Sequence, residues 1–347
     1  MDPTSESAIS GQSPEQDEAL EALLHWYQTQ GRKLPWRETN DPYRIWVIET
    51  LLQQTQITQA QGRIERFLAR FPSLEGLAQA DLGAVLEVWQ GLGYYQRAHN
   101  LHRAAKMLIA MGGWERIQSA PDALRLLTQL PGIGDYTARA ILSFAGWGAY
   151  LPVDGNLVRV LSRLWGTMER DRSYYQQRAD ALPIPWRRRE VAFALMDLAQ
   201  LLCKPRRPKC LLCPLAPHCK ALQIGTPEAY PPPGRQRQRP IRYFLLRLYT
   251  DREGVALVQR PARGLWGGLW TPPMEELTEP PQTPPTFSHE LTHFRLWGYV
   301  EKIGAPPPEA SLIPWERLPL YGLPAPIFRL LAQEAKACGT TFPTQHR

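Results

Sequence analysis

The spacing of apolar residues divides the chain into a helical first part and a mixed second part. Between residues 15 and 30, apolar side chains recur at intervals of three and four, which predicts a helix. The same spacing predicts further helices between residues 58 and 111. After residue 240 the apolar runs become short and predict strands at 242–250 and 254–260, followed later by a closing helix at Ala325–Ala337.

One predicted helix carries an acid within its apolar surface. Asp41-Pro42 is a favourable helix start, with Asp as the N-cap and Pro at the first helical position, and the helix is predicted to span Tyr43–Gln56. Glu49 lies in the middle of this segment, where a carboxylate needs either a partner or a function. Desolvation would raise its pKa, as a general acid near neutral pH requires. The alternative is a structural salt bridge to Arg37 or Arg44.

Residues 127–145 predict two helices joined by a tight hairpin with the sequence Leu-Pro-Gly-Ile-Gly. Gly132 and Gly134 permit close approach to the backbone, and the free amides at the start of the second helix can hold a phosphate. The alternative is an ordinary connection between helices. Earlier in the chain, Tyr94 and Tyr95 lie in a glycine-rich turn, where they either pack in the core or wedge a ring between bases.

A second acid follows this hairpin. Asp154 is a natural N-cap for a helix that begins at Gly155 or Asn156 and ends at Leu164. A carboxylate just past a phosphate-binding hairpin could also stabilise positive charge in a substrate. Capping does not exclude this second role.

Four of the five cysteines are clustered with the spacing C-x6-C-x2-C-x5-C. Thiols this close in sequence can bind one metal centre, whereas a disulfide scaffold is not expected in a chain of 347 residues with an odd cysteine. The single C-x2-C knuckle favours a 4Fe–4S cluster without excluding zinc. The cysteines are Cys203, Cys210, Cys213 and Cys219, and the basic residues around them, which suit phosphates, are Lys204, Arg206, Arg207, Lys209 and Lys220.

Composition narrows the class of protein. A length of 347 residues favours two or three domains, and a net charge of +7 with a pI near 9.2 favours polyanionic partners. The apolar runs are much shorter than the roughly 20 residues that span a bilayer, so no membrane partner is expected. The first 18 residues are polar and acidic, unlike a secretory signal, and predict a disordered tail in a cytosolic protein.

Several ordered motifs together resemble a known family. They are LPWR at 34–37, ETLLQQT at 49–55, LPGIGDYTA at 130–138, VDGN at 153–156, the four cysteines, GLWGGLW at 264–270 and Thr-His at 292–293. This order resembles the endonuclease III superfamily of base-excision glycosylases. Within that superfamily it is similar to the MutY-type adenine DNA glycosylases, which remove adenine mispaired with 8-oxoguanine. The match extends over about residues 18–335.

The resemblance implies an α+β architecture. An all-α helix–hairpin–helix glycosylase domain with an iron–sulfur cluster loop would be joined by a linker to a smaller Nudix-like α/β domain that recognises 8-oxoguanine. The helix with clustered glutamates of active Nudix hydrolases is missing, so no pyrophosphohydrolase activity is expected. The implied boundaries are a tail at 1–17, the catalytic domain at 18–224, a Pro-rich linker at 225–240, the recognition domain at 241–337 and a tail at 338–347.

The resemblance also implies catalytic roles. Glu49 would protonate adenine and later help to activate water, Asp154 would stabilise the oxocarbenium-like sugar, and Tyr136 would support that intermediate. Relatives that also cut the strand have Lys at the position of Tyr136, where its amine attacks the sugar. The chain is therefore expected to be a monofunctional glycosylase that leaves an abasic site.

The remaining roles follow from the same resemblance. The pocket for a flipped adenine would be lined by Arg32, Leu34, Trp36 and Arg37. Gln53, Gln54 and Thr55 would enter the duplex near 8-oxoguanine, with Leu92 and Tyr94 as a wedge, while Gly132, Gly134 and Asn156 would contact DNA. Thr292 and His293 would read the lesion, with Ser288 as an alternative to Thr292. Cys203, Cys210, Cys213 and Cys219 would hold a structural 4Fe–4S cluster.

One departure and two alternatives remain. Ala192-Phe193 stands where many members of the family have Asn followed by Gln or Glu, which leaves one adenine contact unaccounted for. The alternatives are a glycosylase for thymine in G·T mismatches and a metalloprotein that binds DNA without catalysis. The expected partner is double-stranded DNA with adenine opposite 8-oxoguanine or guanine. The protein is expected to be a monomer at the bacterial nucleoid, in the cytoplasm.

Overall fold

The structure is a computed structural model that describes residues 14–53, 57–89, 92, 94–232, 239–261, 264–291 and 293–340. The chain divides into two compact units. The first comprises Met1–Gln53 and Met107–Arg235, and the second comprises Gln54–Lys106 and Gln236–Arg347. The second unit thus combines a helical segment with the C-terminal part of the chain, and the domain boundaries expected from the sequence stay predictions.

Helices dominate the chain up to residue 223. In order they are α1 (Pro14–Gln30), α2 (Pro42–Leu52), α3 (Ile57–Arg70), α4 (Leu74–Gln79), α5 (Leu82–Trp89), α6 (Gln96–Ala110), α7 (Gly113–Gln118), α8 (Ala123–Thr128), α9 (Asp135–Phe144), α10 (Gly155–Trp165), α11 (Arg172–Asp180), α12 (Arg189–Leu201) and α13 (Lys220–Gln223). Short 3-10 helices occur at Pro35–Arg37, Ile184–Arg187, Cys210–Leu212, Ala216–His218 and Pro227–Ala229.

Helix α2 is central to the first unit, where it packs against α9. Its predicted start is confirmed, because the Asp41 carboxylate accepts the amide of Tyr43 and Pro42 is the first helical residue. Its predicted end at Gln56 is wrong, since the helix ends at Leu52. Gln53 turns into an extended conformation with ψ 117°, and its side-chain amide donates to the Thr137 hydroxyl at 3.3 Å. A contact distant in sequence therefore accompanies the end of the helix.

The hairpin predicted between α8 and α9 is present in the first unit. Leu130 and Ile133 anchor it in the core, with 2% and 3% of their surfaces exposed. Between them Gly132 has a φ of 79°, a left-handed conformation that favours glycine. Gly134 is the N-cap of α9, so the exposed amides at the start of α9 lie just after the turn.

The second unit contains two sheets. Their strands are β1 (Ile241–Leu248), β2 (Gly254–Gln259), β3 (Trp270–Thr271), β4 (Met274–Leu277), β5 (Phe287–Glu290), β6 (Arg295–Lys302) and β7 (Ser311–Pro314), and helix α14 (Ala325–Ala337) follows a 3-10 helix at Trp315–Leu320. One sheet has the order β4-β1-β6-β5, with β1 and β6 parallel, and the other has the order β3-β2-β7. Apolar residues of β1, β2 and β6 form a common core with α14.

A tight turn joins β1 to β2. The Asp251 carboxylate accepts the amides of Glu253 and Gly254 at 2.8 and 2.9 Å, which closes the turn.

Every helix in the described part of the chain is too short or too polar to cross a membrane.

Candidate active site

Glu49 lies on α2, half-buried, and meets a tyrosine of α9. The Tyr136 hydroxyl donates a hydrogen bond to Glu49 Oε2 at 3.1 Å. Burial raises the pKa of Glu49 to about 7; Tyr136 and Arg37 act to lower it, and the negative charge of Asp154 acts to raise it. Near neutral pH the protonated and ionised forms of Glu49 are therefore both well populated.

Tyr136 remains neutral beside these acids. Burial raises its pKa well above the ordinary value, and the charges of Glu49 and Asp154 act in the same direction. Its uncharged hydroxyl group donates a hydrogen bond to Glu49. Tyr136 is thus a fixed hydrogen-bond donor between two carboxyl groups.

Asp154 is the N-cap of α10, as predicted. Its Oδ1 accepts the amides of Asn156 and Leu157 at 2.9 and 2.8 Å, and its Oδ2 accepts the side-chain amide of Asn156 at 2.8 Å. The positive end of the helix dipole favours a negative charge at this place. The negative charge of Asp154 also acts on Glu49 and Tyr136, where it raises both pKa values, so a role beyond capping stays a prediction.

The arginines proposed as partners of Glu49 do not form a salt bridge with it. Arg44 is exposed, and Arg37 binds Asp197 of α12 through both terminal nitrogens at 2.9 and 2.8 Å. Arg32 binds the same carboxylate at 2.7 Å through Nε. Of the two alternatives for Glu49, the structural salt bridge is therefore the wrong one.

Asp197 is a functional candidate that the sequence reasoning missed. Its side chain is fully buried, and the hydrogen bonds and charges of Arg37 and Arg32 hold its pKa below the ordinary value, although burial alone would raise it. The signal was available, since an acid in the apolar helix EVAFALMDLAQLL poses the same question as Glu49.

Phe193, one of the two residues that depart from the family pattern at Ala192-Phe193, lies beside Arg37. Ala192 is fully buried, and the Phe193 ring lies 4.8 Å from the Arg37 guanidinium carbon. The Phe144 ring packs against the Phe193 ring, with the two ring centroids 4.5 Å apart. An aromatic surface thus supports Arg37 from α12.

The other predicted pocket residues belong to the short 3-10 helix Pro35–Arg37 or directly precede it. Leu34 is its N-cap and Trp36 its middle residue, and both are half-buried. Gln53 is half-buried at the end of α2, whereas Gln54 and Thr55 lie outside the described residues.

The tyrosines of the glycine-rich turn have different environments within the second unit. Tyr94 is 52% exposed and has a left-handed φ of 48°. Tyr95 is buried, and its hydroxyl reaches the Leu323 carbonyl at 3.5 Å. The core interpretation is right for Tyr95, while Tyr94 and the half-buried Leu92 remain candidates for a wedge.

The predicted lesion-reading residues occur at the β5–β6 hairpin of the second unit. His293 is exposed in the turn, and Thr292 lies outside the described residues. Ser288 is exposed on β5. His289 is half-buried with its ring 6.5 Å from the Trp266 ring. Both alternatives for the lesion contact stay open.

The cysteine loop is held by a buried arginine of α10. Arg163 is 2% exposed and donates to Cys203 Sγ at 3.3 Å and to the Lys204 carbonyl at 2.8 Å. It also donates to the carbonyls of Pro205 and Tyr230 at 3.1 and 3.0 Å. One side chain thus ties the start of the loop, and the segment that follows α13, to the helical core.

The four thiols lie close enough to affect one another. Burial raises the pKa of Cys213 to about 12, and the charges of Cys203, Cys219 and Cys210 add to the effect. Four thiolates at this place consequently need a compensating cation, so the donor set fits a metal centre.

The arrangement leaves both metal centres open. Among the residues that the structure describes, no three His, Cys, Asp or Glu side chains are grouped around a position for a single metal ion. The choice between a 4Fe–4S cluster and zinc therefore stays a prediction.

The loop is connected to Asp154 through Arg159. Arg159 Nε donates to the Cys203 carbonyl at 2.8 Å, and its Nη2 donates to Asn156 Oδ1 at 3.2 Å. Asn156 in turn binds Asp154. An open cleft of about 540 Å³ lies here, lined in part by Arg159, Lys204 and Arg206, whose charges suit a phosphate.

Comparison with known proteins gives the family. The model of the "HhH-GPD superfamily base excision DNA repair protein" matches residues 47–183, which include Glu49, Tyr136 and Asp154. The adenine DNA glycosylase of Mycobacterium tuberculosis (strain CDC 1551 / Oshkosh) is 36% identical over 219 residues, an alignment that covers 61% of this chain and 70% of that protein. The chain belongs to the adenine DNA glycosylase family.

Other adenine DNA glycosylases and related structures agree with this membership. The rat adenine DNA glycosylase is 31% identical over 305 residues, covering 72% of this chain and 58% of that protein. The structure of a thermostable thymine-DNA glycosylase matches with a TM-score of 0.55 and 26% identity, covering 60% of this chain and 97% of the other. The alignments span only 57% to 61% of the length of several adenine DNA glycosylases.

Proposed function

We propose that the chain is a monofunctional DNA glycosylase that releases adenine mispaired with 8-oxoguanine or guanine and leaves an abasic site. The group of Glu49, Tyr136 and Asp154 carries the proposal. It combines an acid with a pKa near 7, a neutral hydroxyl donor and a carboxylate at a helix start. Cleavage of a base–sugar bond needs these components, and membership in the family supports their use on adenine.

Glu49 supplies the proton for the departing base. An acid acts best when its pKa lies near the working pH, because it is then both protonated and able to release its proton. With a pKa of about 7, Glu49 meets this condition. After proton transfer the carboxylate accepts a proton from water, and Tyr136 holds it in place throughout.

Asp154 acts on the sugar. Loss of the base leaves a sugar with positive character, and a fixed anion nearby stabilises it, as in glycosidases with two carboxyl groups. The hydrogen bonds from Asn156 and Leu157 fix the carboxylate without any rearrangement. Tyr136 supports the same region as a neutral donor.

The base must leave the duplex to reach these groups. Arg32, Leu34, Trp36 and Arg37 line the pocket that receives adenine. Gln53, Gln54 and Thr55 act at the duplex together with Leu92 and Tyr94. The hairpin amides after Gly132 and Gly134 and the basic cleft near Asn156 bind backbone phosphates of double-stranded DNA.

The C-terminal part reads 8-oxoguanine through the β5–β6 hairpin. Thr292 or Ser288 contacts the lesion with its hydroxyl, and His293 takes part from the turn between β5 and β6. The protein is expected to act as a monomer at the nucleoid.

A single-turnover assay on duplexes with adenine opposite 8-oxoguanine tests the proposal. We expect release of adenine, and strand breaks only after treatment with alkali, because Tyr136 offers no amine for a Schiff base. Duplexes with adenine opposite guanine and thymine opposite guanine are the comparisons. The thymine duplex is included because the chain is similar to a thermostable thymine-DNA glycosylase. Release of thymine alone, or binding without release of any base over hours, would contradict the proposal.

The four cysteines are proposed to hold a 4Fe–4S cluster. Such a cluster, when bound, supplies a structural crosslink for the loop. Arg163 positions Cys203 for it by donating to its sulfur, and the basic residues around the loop are thereby fixed at the surface.

Purified protein is expected to be brown and to contain about four irons per chain. Cys213→Ser should lose the iron, because the substitution removes one of the four proposed thiolate ligands. Cys338→Ser is the matched control, since Cys338 follows α14 in the other unit and should keep all iron. Iron and zinc are measured by elemental analysis. Stoichiometric zinc in a colourless protein would refute the cluster.

A further inference from the structure

Asp197 gathers two arginines around one buried carboxylate. Its Oδ1 accepts Arg32 Nε at 2.7 Å and Arg37 Nη2 at 2.8 Å, and lies 2.6 Å from Arg32 Nη2. Its Oδ2 accepts the backbone amide of Arg32 at 2.7 Å and Arg37 Nη1 at 2.9 Å. The Asp197 side chain has no exposed surface, while those of Arg32 and Arg37 are 26% and 11% exposed. The cluster therefore has a net charge of +1.

Arg37 is fixed from several directions. Its guanidinium carbon lies 4.8 Å from the Phe193 ring and 5.9 Å from the Tyr27 ring, and Nη1 also reaches the Tyr27 hydroxyl at 3.4 Å. The Arg37 carbonyl accepts Arg189 Nη2 at 2.6 Å. These contacts restrain the Arg37 side chain from changing its rotamer when a substrate binds. Arg37 therefore acts through its charge at a fixed position.

Three elements carry charged or titratable groups that act electrostatically on Glu49. Tyr136 comes from α9, Asp154 from the start of α10, and Arg37 from the 3-10 helix Pro35–Arg37. Of these groups, Arg37 is the cation. Asp197 offsets part of the positive charge of Arg37. It also fixes the position of the Arg37 side chain, because a planar guanidinium that binds both oxygens of a carboxylate has a defined orientation.

We propose that Asp197 is a positioning residue that holds Arg37 beside Glu49 and tempers its charge, and so sets the pH range in which adenine is released. The inference rests on the proposed function, because it needs Glu49 to act as the acid. Asp197 itself touches neither base nor sugar.

The test compares two substitutions that change the charge of the cluster in opposite directions. Asp197→Asn keeps the shape but leaves two cations without an anion, so the ionised form of Glu49 gains stability. Arg37→Gln removes the cation near Glu49 and leaves Arg32 paired with Asp197. Single-turnover rates of adenine release are measured from pH 5.5 to 9 on the 8-oxoguanine·adenine duplex.

We expect the rate of the unchanged protein to fall as the pH rises through about 7, since Glu49 is protonated below that value. The midpoint should move to lower pH in Asp197→Asn and to higher pH in Arg37→Gln. A shift of half a pH unit changes the rate about threefold at pH values above the midpoint. Asp180→Asn is the control: it removes an acid paired with the buried Arg139 in the same unit, at 2.7 Å, and should leave the midpoint unchanged.

The outcomes separate the two ideas. Without adenine release by the unchanged protein, the proposed function itself fails. With release, midpoints that stay in place or move in the same direction in both variants overturn the role of Asp197, even when the rates fall. Should Asp197→Asn not fold, Asp197→Ser takes its place with the same expected fall of the midpoint, and a midpoint that does not fall overturns the inference.

Discussion

Glu49→Gln is expected to slow the release of adenine by about 10²- to 10⁴-fold, the range typical for loss of a general acid. The amide has nearly the same shape and can still accept the Tyr136 hydrogen bond, but it has no proton to give. The rate is measured under single-turnover conditions with an 8-oxoguanine·adenine duplex. Affinity for the uncleaved duplex, measured at fixed salt, should stay within a few-fold of the original.

Glu115→Gln is the matched control for this experiment. Glu115 is exposed in the first turn of α7 in the same unit, so the same chemical change is made away from the site. It should release adenine at the original rate. A fully active Glu49→Gln protein would remove Glu49 from the reaction.

Asp154→Asn is expected to lower the same rate by about 10²- to 10³-fold, comparable to the loss of one preorganised electrostatic contact. Asn caps a helix about as well as Asp. Asn lacks the charge that the dipole of α10 favours, so the free energy of unfolding should fall, but by no more than about 1 kcal/mol, as a thermal melt or urea titration would show. Activity and stability are thus separated in a single variant.

Asp171→Asn makes the same change at another helix start of the first unit. Asp171 caps α11 and accepts the amide of Ser173 at 3.0 Å. We expect it to match Asp154→Asn in stability while keeping full activity. An Asp154→Asn protein that loses stability but keeps the rate of adenine release would show that Asp154 is only a cap.

Features that depend on neighbouring residues were predictable from the sequence. Asp41 and Asp154 were recognised as caps because the cap and the amides it accepts are two or three residues apart. The closing helix Ala325–Ala337 was predicted with its observed bounds, since its apolar spacing is undisturbed. Glu49 was found because an acid within an apolar helix is costly unless it has a partner or a function.

Features that depend on residues distant in sequence were not predictable. The partner of Glu49 is 87 residues away and that of Arg37 is 160 residues away, and no local pattern encodes either pairing. The two-residue strand Trp270–Thr271 lies within a Gly/Trp-rich loop and is a strand only because β2 pairs with it. The parallel pairing of β1 with β6 likewise follows from the packed sheet and not from the strands themselves.

The Tyr136–Glu49 hydrogen bond bears on how strand-cutting activity could arise in this scaffold. A nucleophilic Lys must lose its proton before its amine can attack a sugar. In Tyr136→Lys the new ammonium would face the carboxylates that now act on Tyr136, and both would favour its charged form. A single substitution should consequently exchange a hydrogen bond for an ion pair and create no lyase. Loss of the acid on α2 as well would remove one of the two charges that hold the ammonium in its protonated form.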